Sequence, residues 1–177
     1  MTFKRDLKDK EMLRIVDRLM TPLRRDRKKF LINLARPLDA RWQNLQSREM
    51  PFGAFVANII KSRVKTQIGL INGGTIRGDQ IFYQNLTYGE INGLFPRDDR
   101  IVKMKVSGRI LLEALEEGLY DYPNANGRFP HVAGAKIYVK KEIRQGERKI
   151  EKITVMGRDL GNELKMLELY VFPNIKI

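Results

Sequence analysis

The stretch Ile68–Asp79, reading Ile-Gly-Leu-Ile-Asn-Gly-Gly-Thr-Ile-Arg-Gly-Asp, constrains this chain more than any other. Ile68, Leu70 and Ile71 make the short apolar run of a buried strand, and the run breaks at once into Asn72-Gly73-Gly74. Glycine has no Cβ, so a Gly-Gly pair here either makes a tight turn or lets backbone amides approach a ligand closely. Arg77 follows, a planar cation with five donors suited to a phosphate or a carboxylate. Two readings stay open on these residues alone: a buried strand ending in a ligand-facing loop, or a tight turn beside a surface arginine.

The flanking elements bear on the choice. Phe55, Val56, Ile59, Ile60 and Val64 recur at helical spacing and deliver the chain into the strand at Gln67–Ile71, which is helix-on-sheet packing. Upstream, Leu7, Met12, Leu13, Ile15, Val16, Leu19 and Met20 predict an amphipathic helix over 7–20 that Pro22 ends. Phe30–Leu34 reads as a strand closed by Pro37, and Leu38–Arg41 as a turn. Downstream, Gln80–Tyr83 reads as a short extended segment. Thr87 and Glu90 have capping-box spacing for a helix to about Leu94. A strand is expected over 101–106, and Ser107 caps a helix whose buried stripe is Ile110, Leu111, Ala114, Leu115 and Leu119. Three strands are expected last, His131–Lys140, Lys149–Met156 and Leu164–Phe172, with turns at Arg144–Gly146 and Gly157–Asn162.

Composition excludes more than it assigns. The 177 residues hold no cysteine and one histidine, so disulfides, thiolate nucleophiles and multi-histidine metal sites are out of reach. That histidine, His131, is expected at a partly exposed strand edge. A net charge of +13 is concentrated early, with 14 Lys/Arg against 7 Asp/Glu in residues 1–50 and its densest run at Arg24–Lys29. Such a run can neutralise phosphates, but it lacks interleaved aromatics for stacking and helix-turn-helix spacing. A solvated or partner-facing basic face is the expectation, with nucleic acid disfavoured. No apolar run approaches the ~20 residues a membrane span needs, and no signal core opens the chain. A chain complete as it stands is therefore expected in the cytoplasm, away from membranes.

Taken in order, the motifs resemble one family. Leu38-Asp39 and Arg48-Glu49 precede Gly53; Ile71–Arg77, Leu86-Thr87-Tyr88 and Phe95-Pro96 follow. Val106-Ser107-Gly108 then runs into Leu115-Glu116, and Gly127-Arg128-Phe129-Pro130 precedes Ala133-Gly134. The order is similar to that of the C-terminal, substrate-recognition domain of the metal-dependent 5′-nucleotidases, or UDP-sugar hydrolases, over about residues 38–172. The resemblance implies an α+β fold layered helix-sheet-sheet-helix with mixed sheets. It also implies a linker-like basic helix in residues 1–29 ahead of a single domain in residues 30–177. In the family a separate metallophosphoesterase domain holds two divalent metals and hydrolyses the ester, so no cofactor is expected in this chain, which would not be hydrolytic alone. By resemblance Asn72 matches the asparagine that meets the base, Arg77 and Arg48 match arginines that reach the phosphate and ribose side, and Gly73 and Gly74 shape the loop between.

The chain also departs from the family. Phe95-Pro96-Arg97 stands where the family has Phe-Pro-Phe, so Arg97 replaces a ring that stacks on the base, a contact worth about 1–3 kcal/mol. Beyond Tyr170 the family's second stacking aromatic and its ribose-binding aspartate have no counterpart. The expected partners are a nucleotide or other phosphorylated small molecule, held weakly, and a metallophosphoesterase domain in trans. The alternative is a divergent, non-enzymatic basic module that binds a protein or a polyanion.

Overall fold

The computed structural model describes residues 10–97, 99–142, 147–160 and 166–171. Helix α1 spans Lys10–Arg27 and carries Pro22 inside it, where the sequence predicted an end. Proline has no N–H to give the preceding turn, but Asp17 ties the two sides together. Its carbonyl accepts the Thr21 hydroxyl at 2.6 Å, and its carboxylate pairs with Arg24 at 2.8 Å. Strand β1 (Phe30–Asn33) follows, then β2 (Leu38–Asp39), a two-residue strand where a turn was expected. Helix α2 (Trp42–Leu45) leads to α3 (Pro51–Val64), which opens on a proline where a missing N–H is harmless and closes on Lys65 in a left-handed conformation.

Strand β3 (Ile68–Asn72) runs into one 3₁₀ turn at Gly73–Thr75. Strands β4 (Ile81–Phe82) and β5 (Asn85–Thr87) are short. Helix α4 (Tyr88–Leu94) starts at the predicted capping box: the Thr87 hydroxyl accepts from Glu90 N, and Glu90 Oε2 accepts from Thr87 N at 2.7 Å. Strand β6 (Val102–Ser107) hands over to α5 (Gly108–Gly118) through the Ser107 cap. Strands β7 (Pro130–Ala133), β8 (Ala135–Val139), β9 (Ile150–Val155), β10 (Arg158–Asp159) and β11 (Met166–Val171) complete the described chain.

The main sheet has the order β6-β11-β3-β7, with β11 parallel to β3 and the other pairs antiparallel, so it is mixed. A second, antiparallel sheet has the order β10-β9-β8, and two ribbons pair β1 with β5 and β2 with β4. Strand β3 is buried along its whole length, and its two-residue period divides two cores. Ile68 and Leu70 face a core shared with Leu111 and Leu115 of α5 and Ile153 and Val155 of β9. Ile71 faces the other core with Val56 and Ile60 of α3, Phe82 and Leu94. Full burial of a side chain of this size, as at Ile68, Leu70, Ile71, Leu94, Leu111 and Leu115, contributes about 1.5–3 kcal/mol. The result is an α+β domain in which α3 covers one face of the main sheet, and α5 and the second sheet share the core on the other.

Three other expectations change. The single strand over His131–Lys140 is two strands in two sheets, because Gly134 takes φ +88° between them. A Cβ there would lie 2.0 Å from the Gln67 carbonyl oxygen, so only glycine allows this pivot. Ile110 is 39% exposed, outside the α5 stripe, and Leu112 packs against the core instead. His131 does lie on an edge strand, but it is wholly buried, under α2 and α3. Leu7, the turn at Arg144–Gly146 and the outer ends of the last expected strand, Leu164 and Phe172, fall outside the described residues. Among the described residues no helix is long and apolar enough to cross a membrane.

Candidate functional site

At the C-terminal end of β3 the Asn-Gly-Gly turn is bonded into the protein on every side. Gly73 N donates to the Phe129 carbonyl at 2.8 Å, and Gly74 N to the Gly127 carbonyl at 2.9 Å. Asn72 Nδ2 donates to that same Gly127 oxygen at 2.8 Å, while Asn72 Oδ1 accepts the Thr75 hydroxyl at 2.5 Å. A Cβ on Gly73 would sit 2.2 Å from the Leu45 carbonyl oxygen, and one on Gly74 would sit 2.9 Å from Gly127. The glycines therefore admit two stretches of the chain's own backbone. The expectation that their amides approach a ligand does not hold, because both amides already have backbone acceptors.

The Leu45 carbonyl that presses on Gly73 also accepts His131 Nε2 at 2.8 Å. The carbonyl requires a donor, so Nε2 carries the proton and Nδ1 is bare. Nδ1 is buried with no hydrogen-bond partner in the described structure. Burial pushes the His131 pKa down, and the Leu45 contact opposes this only in part. Phe129 meets the ring edge-on at 5.6 Å, and Gly53 of α3 leaves room for it. His131 is thus a clasp beneath the turn, a role its sequence context did not signal.

The three arginines go to different places. Arg77 is exposed, and its backbone N donates to the Leu94 carbonyl at 2.9 Å, which sets its side chain on a groove of about 760 Å³. The same groove is lined by Arg24 and Arg27 of α1, by Lys28 just after it, and by Phe82 and Leu94. Arg48 lines another cavity, of about 570 Å³, with Glu49, Tyr122, Phe129 and Tyr138. Its guanidinium donates to Asn44 Oδ1, and Asn44 Nδ2 donates to Asp39 at 2.7 Å. Arg41 grips that same Asp39 through two guanidinium contacts, at 3.0 and 2.8 Å, which holds the carboxyl far below its ordinary pKa. Arg97 is half-exposed and faces Asp99 at 3.8 Å. Among the cavities lined wholly by described residues, Arg48 and Arg77 line different ones, and Asn72 is buried and bonded to Gly127 and Thr75. The basic end of α1, read from sequence as a solvated or partner-facing face, is exposed and lines the same groove as Arg77. Among the described residues no three His, Cys, Asp or Glu side chains gather as a metal group.

Residues 32–171 match the family model described as 5′-nucleotidase, C-terminal domain. The chain is 30% identical over 118 residues to the trifunctional nucleotide phosphoesterase protein YfkN of Bacillus subtilis, a match covering 64% of this chain and 8% of that protein. The fold superposes on the 5′-nucleotidase precursor of Thermus thermophilus with a TM-score of 0.78 at 21% identity, covering 90% of this chain and 32% of that one. It also resembles the sulfate thiohydrolase SoxB of the same genus, with a TM-score of 0.70 at 13% identity over 92% of this chain and 30% of that one. The chain therefore spans about a third of the length of these solved relatives. Their shared architecture carries a named activity outside the nucleotidases, so fold alone does not assign a substrate.

Proposed function

The chain belongs to the 5′-nucleotidase C-terminal domain family, and from that membership we propose that it is the nucleotide-recognition part of a hydrolytic system of nucleotide catabolism. The 177 residues comprise the recognition domain, without the dimetal catalytic domain. In this reading hydrolysis depends on a metallophosphoesterase domain acting with it, and the chain alone grips a phosphorylated small molecule weakly.

The observation that supports the reading best is Arg77. By resemblance it matches an arginine of the family; it is exposed on a groove of ligand size and has no ion-pair partner among the described residues. Its guanidinium would chelate phosphate oxygens. Asn72 keeps one amide hydrogen and one oxygen lone pair beyond its bonds to Gly127 and Thr75, and these would meet a base edge. Gly73 and Gly74 fix the turn that carries both residues. Arg97 would lay its guanidinium plane on the base where the family has a ring. Arg48 would join only on leaving Asn44.

Calorimetric titration of AMP, UMP, UDP-glucose and inorganic phosphate into the protein and an Arg77→Ala variant tests this. Arg77→Ala should weaken binding about 10–100-fold, the worth of a charge-assisted contact. Absence of binding by every ligand, or equal binding by the variant, would sink it. A second reading, a basic module docking on a protein, is favoured by one observation: Met12, Ile15, Val16 and Leu19 form a helical stripe on α1, each 41–67% exposed.

A further inference from the structure

The groove beside Arg77 has a wall that the family match does not contain. Arg24, Arg27 and Lys28 precede residue 32, where that match begins. They reach the groove because the end of α1 is fastened to the start of α4. Tyr88 N donates to the Lys29 carbonyl at 2.9 Å, and Gly89 lies so close that a Cβ there would be 2.7 Å from Arg27 Cβ.

Charge in the groove is one-sided. Arg24 shares its charge with Asp17 at 2.8 Å, but Arg27, Lys28 and Arg77 have no ion-pair partner among the described residues. The single acid on the lining, Glu90, turns its Oε2 into the helix cap, where it accepts from Thr87 N and Oγ1 at 2.7 and 2.8 Å. A monophosphate carries at most about two negative charges, fewer than the cations facing it. Each further phosphate adds anionic oxygens that Arg27 and Lys28, on the same lining, can meet. At about 760 Å³ the groove falls in the usual range for one small ligand, about 300–1,000 Å³.

We propose that the basic end of α1 and Arg77 together form a polyphosphate site, selecting a nucleoside di- or triphosphate over a monophosphate. The inference shares Arg77 with the proposed function and rests on that reading for the nucleoside portion only. The α1 wall supplies the discrimination.

The test measures Kd for AMP, ADP, ATP and inorganic tripolyphosphate in low salt. Four proteins are compared: the parent, Arg27→Ser/Lys28→Ser, the charge-preserving Arg27→Lys/Lys28→Arg, and Arg14→Ser/Arg18→Ser as an equal charge change elsewhere on α1. The parent should gain about threefold or more in affinity with each added phosphate, the scale of exposed charge pairs. That gain should vanish in Arg27→Ser/Lys28→Ser and persist in the other two. Gly89→Ala, which removes no cation from the chain but forces α1 away from α4, should also flatten it.

A parent with no gain from added phosphates overturns the proposal, as does a gain equal in the two serine variants. If AMP binds through Arg77 without further gain, nucleotide recognition stands and the polyphosphate wall fails. If tripolyphosphate binds with the expected Arg27/Lys28 dependence while no nucleotide does, the wall stands and the recognition reading fails. A single-stranded oligonucleotide binding more tightly than ATP would overturn the small-ligand assignment in favour of a nucleic acid.

Discussion

His131 has one ring nitrogen bonded to the Leu45 carbonyl and one bare nitrogen sealed from water, so protonation would place a charge where nothing accepts its hydrogen. Burial lowers its pKa in the folded protein below the ordinary value of 6.5. The unfolded chain therefore binds more protons just below that value, and stability falls as pH drops from about 7 through 6. Asp39, with its pKa depressed by Arg41, acts in a separate window: its contribution is present above the ordinary carboxylate range and is lost only in stronger acid. Urea unfolding midpoints should thus decline between pH 7.5 and 5.5, and most of that slope should disappear in a His131→Gln variant, which cannot titrate. A parent flat over this interval would contradict the assignment. This buried pair of ring and carbonyl was hidden in the sequence because its partner is 86 residues away. The same holds for Asn72, whose side chain is bonded across 55 residues to Gly127. Local pattern identified the turn that matters, and only the tertiary contacts reveal that its amides hold the protein together.

At the scale of elements, α1 carries a local cost that other contacts offset. A proline inside an exposed helix is about 3 kcal/mol worse than alanine, and around Pro22 the residues are exposed. Pro22→Ala should therefore slow amide hydrogen exchange through residues 18–27, with little change in the melting of the domain, because the helix lies outside both cores. Unchanged exchange there would mean that the Asp17 contacts already offset the missing N–H. The elements legible in the sequence are those whose signals are local. The Thr87–Glu90 box placed α4, Ser107 placed α5, and the apolar run of β3 gave both its burial and its turn. Signals set by distant neighbours misled. Gly134 sits in an alternating stretch and gives no local hint that Gln67 will crowd it, so β7 and β8 read as one strand. Leu38-Asp39 reads as a turn until β4 arrives to pair with it. Of the candidate site, Arg77 was singled out through the order of motifs, whereas the approach of Arg24, Arg27 and Lys28 depends on the contact of Arg27 with Gly89.

For the whole molecule, two cores lie on the faces of one strand, and among the described residues no cluster of three His, Cys, Asp or Glu side chains forms beside them. Hydrolysis of a phosphate ester by the two-metal route needs ions about 3.5–4 Å apart, each held by several oxygen or nitrogen ligands. The described residues bring no three such side chains together, and the only imidazole is committed to Leu45. The domain has a cationic rim on Arg77 and α1, with an exposed apolar stripe on the same helix. Guanidinium and ammonium groups on such a rim suit phosphate oxygens, and the expectation that follows for this chain is binding rather than turnover. The purified chain, supplied with Mn²⁺, Zn²⁺ or Mg²⁺, should therefore release no phosphate from AMP, UMP or UDP-glucose above the metal-only background. Release that copurifies with the chain through two chromatographic steps, and that stops on chelation, would show that the domain builds a metal site of its own. Binding without turnover, lost in Arg77→Ala, is the combination expected of a domain that presents substrate to chemistry performed elsewhere.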